Sequence, residues 1–119
     1  MWYNLAMNLN EYQAQIEQFD QFPASDNPTD PGFMAKLLGL SGEAGEVAEK
    51  FKKIIRDQNG QITPENKAEI QKELGDVLWY LATIARYLDI PLEDIATTNI
   101  EKLSSRQSRG KISGSGDNR

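Results

Sequence analysis

The sequence contains no histidine and no cysteine. The first absence rules out imidazole acid–base chemistry, Ser-His triads, His-bound zinc and the Glu-x-x-His ligand set of ferritin-like di-iron bundles. The second excludes thiolate chemistry and agrees with a reducing compartment. Aromatic residues make up only 8% of the chain and apolar residues 39%, which suits helices with one buried stripe each and not a sandwich. Long hydrophobic runs are missing, so no segment is read as crossing a bilayer. The opening MWYNLAMNLNEYQ lacks a basic stretch followed by an apolar core. No signal peptide is read there, and a cytoplasmic location without membrane contact is expected. A net charge of −5 leaves no basic stripe for a nucleic-acid polymer. At 119 residues the chain makes one domain with a modest core, for which a partner copy would add burial.

Carboxylates remain as the ligand set, and they are patterned. In GEAGEVAE, residues 42–49, Glu43 and Glu46 stand three apart; in KELGDVLWY, residues 72–80, Glu73 and Asp76 repeat the spacing. On a helix such neighbours lie about 60° apart and one turn along, close enough to share one cation. A single pair of this kind is usually a solvated face. Two pairs at matching offsets from their apolar stripes argue for more, because helices packed by those stripes would bring the four carboxylates into one pocket.

Four helices are expected. Residues 1–8 read as an N-terminal arm. The first helix then starts with Asn10 as its cap and Gln13 three residues on, and ends near Asp20. FPASDNPTDP, residues 22–31, is a loop by composition. Asp30-Pro31 opens a second helix that runs to about Asp57 and stops at Asn59-Gly60, with Phe33, Leu37, Leu40, Ala44, Val47, Ala48, Phe51, Ile54 and Ile55 inward. Gly39, Gly42 and Gly45 weaken it by up to about 1 kcal/mol each relative to Ala, which calls for close approach of a backbone or a ligand. Thr63-Pro64 opens a third helix to about Asp89, with Ile70, Leu74, Val77, Leu78, Leu81, Ile84, Ala85 and Leu88 inward. Pro91 starts a fourth through Arg106, with Ile95 and Leu103 inward. The helical domain thus spans residues 9–106. Residues 107–119 form a polar, basic tail, flexible by composition unless something binds it.

Other side chains have two readings each. Lys50 lies between Glu43 and Glu46 in projection and would reach ligand phosphates or pair with Glu46; Lys53 is the next candidate on that side. Tyr80 falls between Glu73 and Asp76 and borders the pocket or a core rim. Trp79 points away from its stripe, which favours an oligomer interface or packing on the first helix over base stacking. Glu49 reads as a surface or inter-subunit residue.

GLSGEAGEVAEKFKK, ELGDVLWYLATIA and NIEKLSSRQSRG together resemble the MazG-like all-α nucleoside triphosphate pyrophosphohydrolases, over roughly Asn10 to Gly110. The resemblance implies a bundle of four main helices, assembled as a dimer or tetramer, that converts an NTP or dNTP to the monophosphate and pyrophosphate in nucleotide-pool cleaning. It implies that Glu43, Glu46, Glu73 and Asp76 ligate Mg2+, with Mn2+ as a substitute, and that Asn99, Lys102 and Arg106 meet the phosphates. Metal-activated water would attack the α-phosphorus, with Glu43 or Glu46 taking its proton. Family versions often carry a further acidic residue just before Glu43, where this chain has Gly42. A non-catalytic helical binding module, or a hydrolase of another pyrophosphate-containing substrate, is the alternative.

Overall fold

The computed structural model describes residues 6–119, so the first five residues of the expected arm lie outside the described residues. Four helices form: α1 (Leu9–Ile16, continued by a 3-10 turn Glu17–Phe19), α2 (Pro31–Gln58), α3 (Pro64–Tyr87) and α4 (Leu92–Ser108). No strand occurs among the described residues.

The cap of α1 is Asn8 rather than Asn10. Its side chain accepts from the Glu11 N–H at 2.8 Å, and the Glu11 carboxylate returns a bond to the Asn8 N–H at 3.4 Å. Glu at the third position can complete this reciprocal box. Asn10 instead accepts from the Glu93 N–H at 3.0 Å and ties down the start of α4. Gln13 is buried and holds the turn before α4: its amide donates to the Ala82 and Ile90 carbonyls, and its oxygen accepts from the Leu92 N–H. At the second helix Asp30 and Pro31 stand as expected, but the Asp30 carboxylate accepts from Ser25 and Asn27 in the loop and does not cap the helix. The α2 helix stops where Asn59 and Gly60 turn left-handed, at φ 54° and 76°. Thr63 and Asn66 cap α3 reciprocally.

An antiparallel pairing of α2 and α3 is the backbone of the fold. Phe33 stacks obliquely on Tyr87, Tyr80 lies over Gly39, Lys50 reaches Glu69, and Gln58 bonds Asn66. Gly39 is required by this approach, since a Cβ there would sit 2.2 Å from Tyr80 Cε1. Gly42 and Gly45 face open space, so the expected close approach is met at one of the three glycines.

Below that pair, Ile16, Ala82 and Leu92 form the buried core, with Tyr12, Leu78, Trp79 and Leu81 against it. Trp79 therefore packs on the first helix, one of its two favoured readings. Beside it lies a buried ionic cluster that sequence reasoning missed. The Asp20 side chain, 2% exposed, pairs with Lys36 at 3.0 Å and Arg86 at 2.8 Å and accepts from the Tyr87 hydroxyl. Lys36 also sits over the rings of Phe22, Trp79 and Tyr87. A signal was available, because Lys36 falls three residues after Phe33 on the apolar stripe, where a charge needs partners.

The expected four-helix bundle does not close within one chain. The α4 helix packs on α1 and α3, and the radius of gyration is 17.2 Å, against about 13.5 Å for a compact chain of this length. On α2 the side packed on α3 is rotated by roughly 60° from the centre of the apolar stripe. Leu37, Phe51 and Ile55 on α2, Leu74 on α3, Leu88 just after its end, and Ile95 and Leu103 on α4, all expected inward, are exposed. α4 packs on α1 and α3 and not on the apolar side of α2.

The tail also departs from expectation. Residues 110–119 fold back on α4 through Gly110, Gly114 and Gly116 at positive φ. Arg119 donates to the carbonyls of Lys111, Ile112 and Gly116, and Arg109 donates to the Arg119 carbonyl.

Candidate metal centre

Packing α2 on α3 with Glu43 and Glu73 on the facing sides brings carboxylates together between them. Glu43, Glu73 and Asp76 each present an oxygen within 4.8 Å of the other two, the one such group among the described residues. Glu43 and Glu73 are half-buried; Asp76 is exposed at the rim. Three hard oxygens from rigid helices, open to solvent on one side, fit a small divalent cation that keeps water or phosphate in its remaining positions. Burial, and then the charges of Asp76, Glu73 and Glu46, push the Glu43 carboxyl above its ordinary value. Like charges held this close favour a shared proton or a bound cation.

Glu46 is exposed and stands outside the converging three, near enough to add its charge to Glu43. Lys50 pairs with α3, at 3.4 Å from Glu69 and 3.9 Å from Glu73, and not with Glu46. This link joins the helix pair mainly through Glu69, to which Lys50 also donates a hydrogen bond. Lys53 is exposed. Glu49 pairs with Lys52 at 2.8 Å on the surface.

Tyr80 borders two features. Its ring covers Gly39 and meets Trp79 edge-on at 5.0 Å. With Phe19, Phe22, Ala35, Lys36 and Trp79 it also lines a cavity of about 210 Å³ beside the buried Asp20. Tyr12 is placed between core and carboxylates: burial, then the Asp76 charge, raises its hydroxyl.

The three residues expected at the phosphates are not joined to the carboxylates within one chain. Asn99 and Lys102 line a separate cavity of about 370 Å³ along α4, with Ile90, Asp94, Ile95 and Thr98. Arg106 is buried, and its guanidinium is held by the tail: Nη2 donates to the carbonyls of Gly116 and Asp117 and to the Asp117 carboxylate. Lys102 shares that carboxylate at 3.3 Å. Asp117 was not foreseen as part of any site.

Fold and site together define an all-helical protein with a carboxylate pocket between two antiparallel helices, suited to a divalent cation. The chain belongs to the MazG nucleotide pyrophosphohydrolase family, whose domain profile matches residues 33–110. It is 46% identical to the Gene 37 protein of Mycobacterium phage L5, over 95% of this chain and 100% of the phage protein. It is 37% identical over 70 residues to human dCTP pyrophosphatase 1, a match covering 56% of this chain and 41% of that protein. YpjD of Bacillus subtilis is 30% identical over 61% of this chain and 65% of its own. The chain thus spans less than half the length of the human relative. No solved structure matches. Family and relatives support nucleotide pyrophosphohydrolase activity, and no helix among the described residues is long and apolar enough to cross a membrane.

Proposed function

We propose that this protein hydrolyses a nucleoside or deoxynucleoside triphosphate to the monophosphate and pyrophosphate, with Mg2+ as the working cation and Mn2+ as a substitute. The observation that carries the proposal is the convergence of Glu43, Glu73 and Asp76 between α2 and α3. A triphosphate would be repelled by these carboxylates alone. A bound divalent cation supplies the charge that attracts the polyphosphate and the polarisation that activates water.

The chain's own groups then divide the work. Glu43, Glu73 and Asp76 hold the cation, and Glu46 joins from one turn further along α2. Glu43 or Glu46 accepts the proton of the attacking water. Lys102 and Arg106 stabilise the departing pyrophosphate, and Asn99 orients it. Lys50 and Lys53 supply positive charge along α2. The cavity beside Tyr80 is the place for the base, with Phe19, Phe22 and Trp79 as its apolar walls. The relatives named dCTP pyrophosphatase make deoxynucleotides the first substrates to test.

We further propose that a second copy completes the assembly as a dimer or tetramer. It would cover the exposed apolar face of α2 and bring α4 cations to a carboxylate pocket.

The test is product analysis on a panel of NTPs and dNTPs, with Mg2+ and with EDTA, resolving pyrophosphate from orthophosphate. Monophosphate plus pyrophosphate, released only with metal, is expected. Asp76→Ala and Glu46→Ala are expected to cut turnover by at least about 100-fold with helical circular dichroism kept. Orthophosphate as the first product, or an unchanged rate in EDTA, would overturn the mechanism.

A further inference from the structure

Two cations on α4 already have an anionic partner, and it belongs to the same chain. Lys102 and Arg106 both reach the Asp117 carboxylate, at 3.3 and 3.2 Å. They stand four residues apart and so share one side of the helix. Arg106 is 5% exposed, and its Nε is buried without a partner. Asp117 is the opposite, with a side chain 83% exposed. A buried guanidinium and a half-buried ammonium form a fixed cationic seat, while the anion filling it is at the surface.

The segment that carries Asp117 is built to present it. Gly114 and Gly116 take φ values of 115° and 84°, open to glycine and strained for other residues. A side chain on Gly114 would also press on Arg119. Arg119 gathers three carbonyls of the loop about its guanidinium, so the loop is closed on itself apart from its hold on α4. Hydrogen bonds from Arg106 and Lys102 keep the Asp117 carboxyl below its ordinary value, and it is an anion at neutral pH. An ion pair whose carboxylate stands in solvent is weakened by hydration and screened by salt. A multiply charged phosphate offers the same two cations more charge and more acceptor oxygens than one carboxylate can.

We propose that the C-terminal loop is an internal placeholder: the Asp117 carboxylate occupies the Lys102–Arg106 seat in the free protein and is displaced by the phosphates of an incoming polyphosphate ligand. The inference rests on the reading that Lys102 and Arg106 meet phosphate. Displacement makes the loop a competitor with ligand. Its effect falls on affinity and KM, and kcat is unchanged.

The experiment uses the full chain with Mg2+ and inorganic tripolyphosphate as probe. Affinity is measured by calorimetry for wild type, Asp117→Asn, Arg119→Ala and Lys102→Gln, and KM for the best triphosphate is measured in parallel. Asp117→Asn is expected to bind tripolyphosphate about two- to five-fold more tightly, the range of an exposed ion pair, with KM lowered to match. Arg119→Ala, which leaves the carboxylate but loosens the loop, is expected to shift both in the same direction by less. Tripolyphosphate is also expected to speed tryptic cleavage after Lys111 in wild type by freeing the loop. Weaker or unchanged binding in Asp117→Asn, with Lys102→Gln weakening it, would overturn the placeholder and leave the phosphate reading standing. Unchanged binding in Lys102→Gln would overturn both.

Discussion

Asp20 shows how much one residue can carry in this molecule. It pairs with both Lys36 and Arg86 and accepts from Tyr87, with Glu17 3.7 Å from Arg86 as the second anion of the group. Burial pushes its carboxyl up, but the bonds from Tyr87, the Phe22 N–H and Lys36 outweigh that and hold it below the usual value. A group depressed in the folded state adds stability that is complete above about pH 4, its unfolded range, and is lost as pH falls through the folded value. Asp20→Asn is expected to cost about 2–4 kcal/mol at neutral pH, because it strands the buried Lys36 and leaves Arg86 only its longer pair with Glu17. Urea melts across pH should show that gap closing as pH falls below about 4. Tyr87 has the opposite sign. Burial and the Asp20 bond raise it to about 12, so its contribution is complete below its unfolded value near 10 and is lost only as pH rises through about 12. None of this was legible in the sequence beyond a lysine on an apolar stripe. Asp20 lies in a turn, and nothing in the pattern of a turn says which distant cation it will meet.

At the scale of the element, the α2–α3 pair divides the glycines by consequence. Gly39→Ala would drive a methyl into Tyr80 and through it against Trp79. Overpacking of this kind costs about 1–3 kcal/mol. Gly42→Ala meets nothing within 4 Å in the single chain and should gain up to about 1 kcal/mol in helix propensity. Thermal melts of both variants are expected to move in opposite directions; a shared direction would mean that Tyr80 yields without cost or that Gly42 is covered in solution. Helix positions were readable because their signals are local: Pro31, Thr63-Pro64, Asn59-Gly60 and Pro91 each act within a turn. The cap of α1 lies two residues before the expected Asn10 because two asparagines compete there, and Glu11 favours Asn8 while Glu93, more than eighty residues away, takes Asn10.

The whole molecule is an open shape. Leu37, 43% exposed, and Ile55, 67% exposed, project to the same side of α2 as Ala44, where a stripe made for burial meets solvent. The proposed second copy accounts for that stripe. Leu37→Glu with Ile55→Glu is expected to convert the assembly to monomers in sedimentation velocity while leaving the helical signal intact. A wild-type monomer at micromolar concentration would remove the second copy from the scheme.

By itself the sequence determined the all-helical class, the helix order, the two carboxylate pairs and the absence of any imidazole or thiolate route. Those follow from composition and from spacings of three and four residues, which act within one helix. Only the tertiary structure decided that Glu43, Glu73 and Asp76 converge while Glu46 stands outside, that Lys50 turns to Glu69 and Glu73, and that Lys102 and Arg106 are held by Asp117. The physical reason is rotation about the helix axis. The apolar stripe of α2 is wide enough to pack at several angles, and the angle adopted, roughly 60° from the stripe's centre, sets which carboxylate faces α3 and which apolar residues are left exposed.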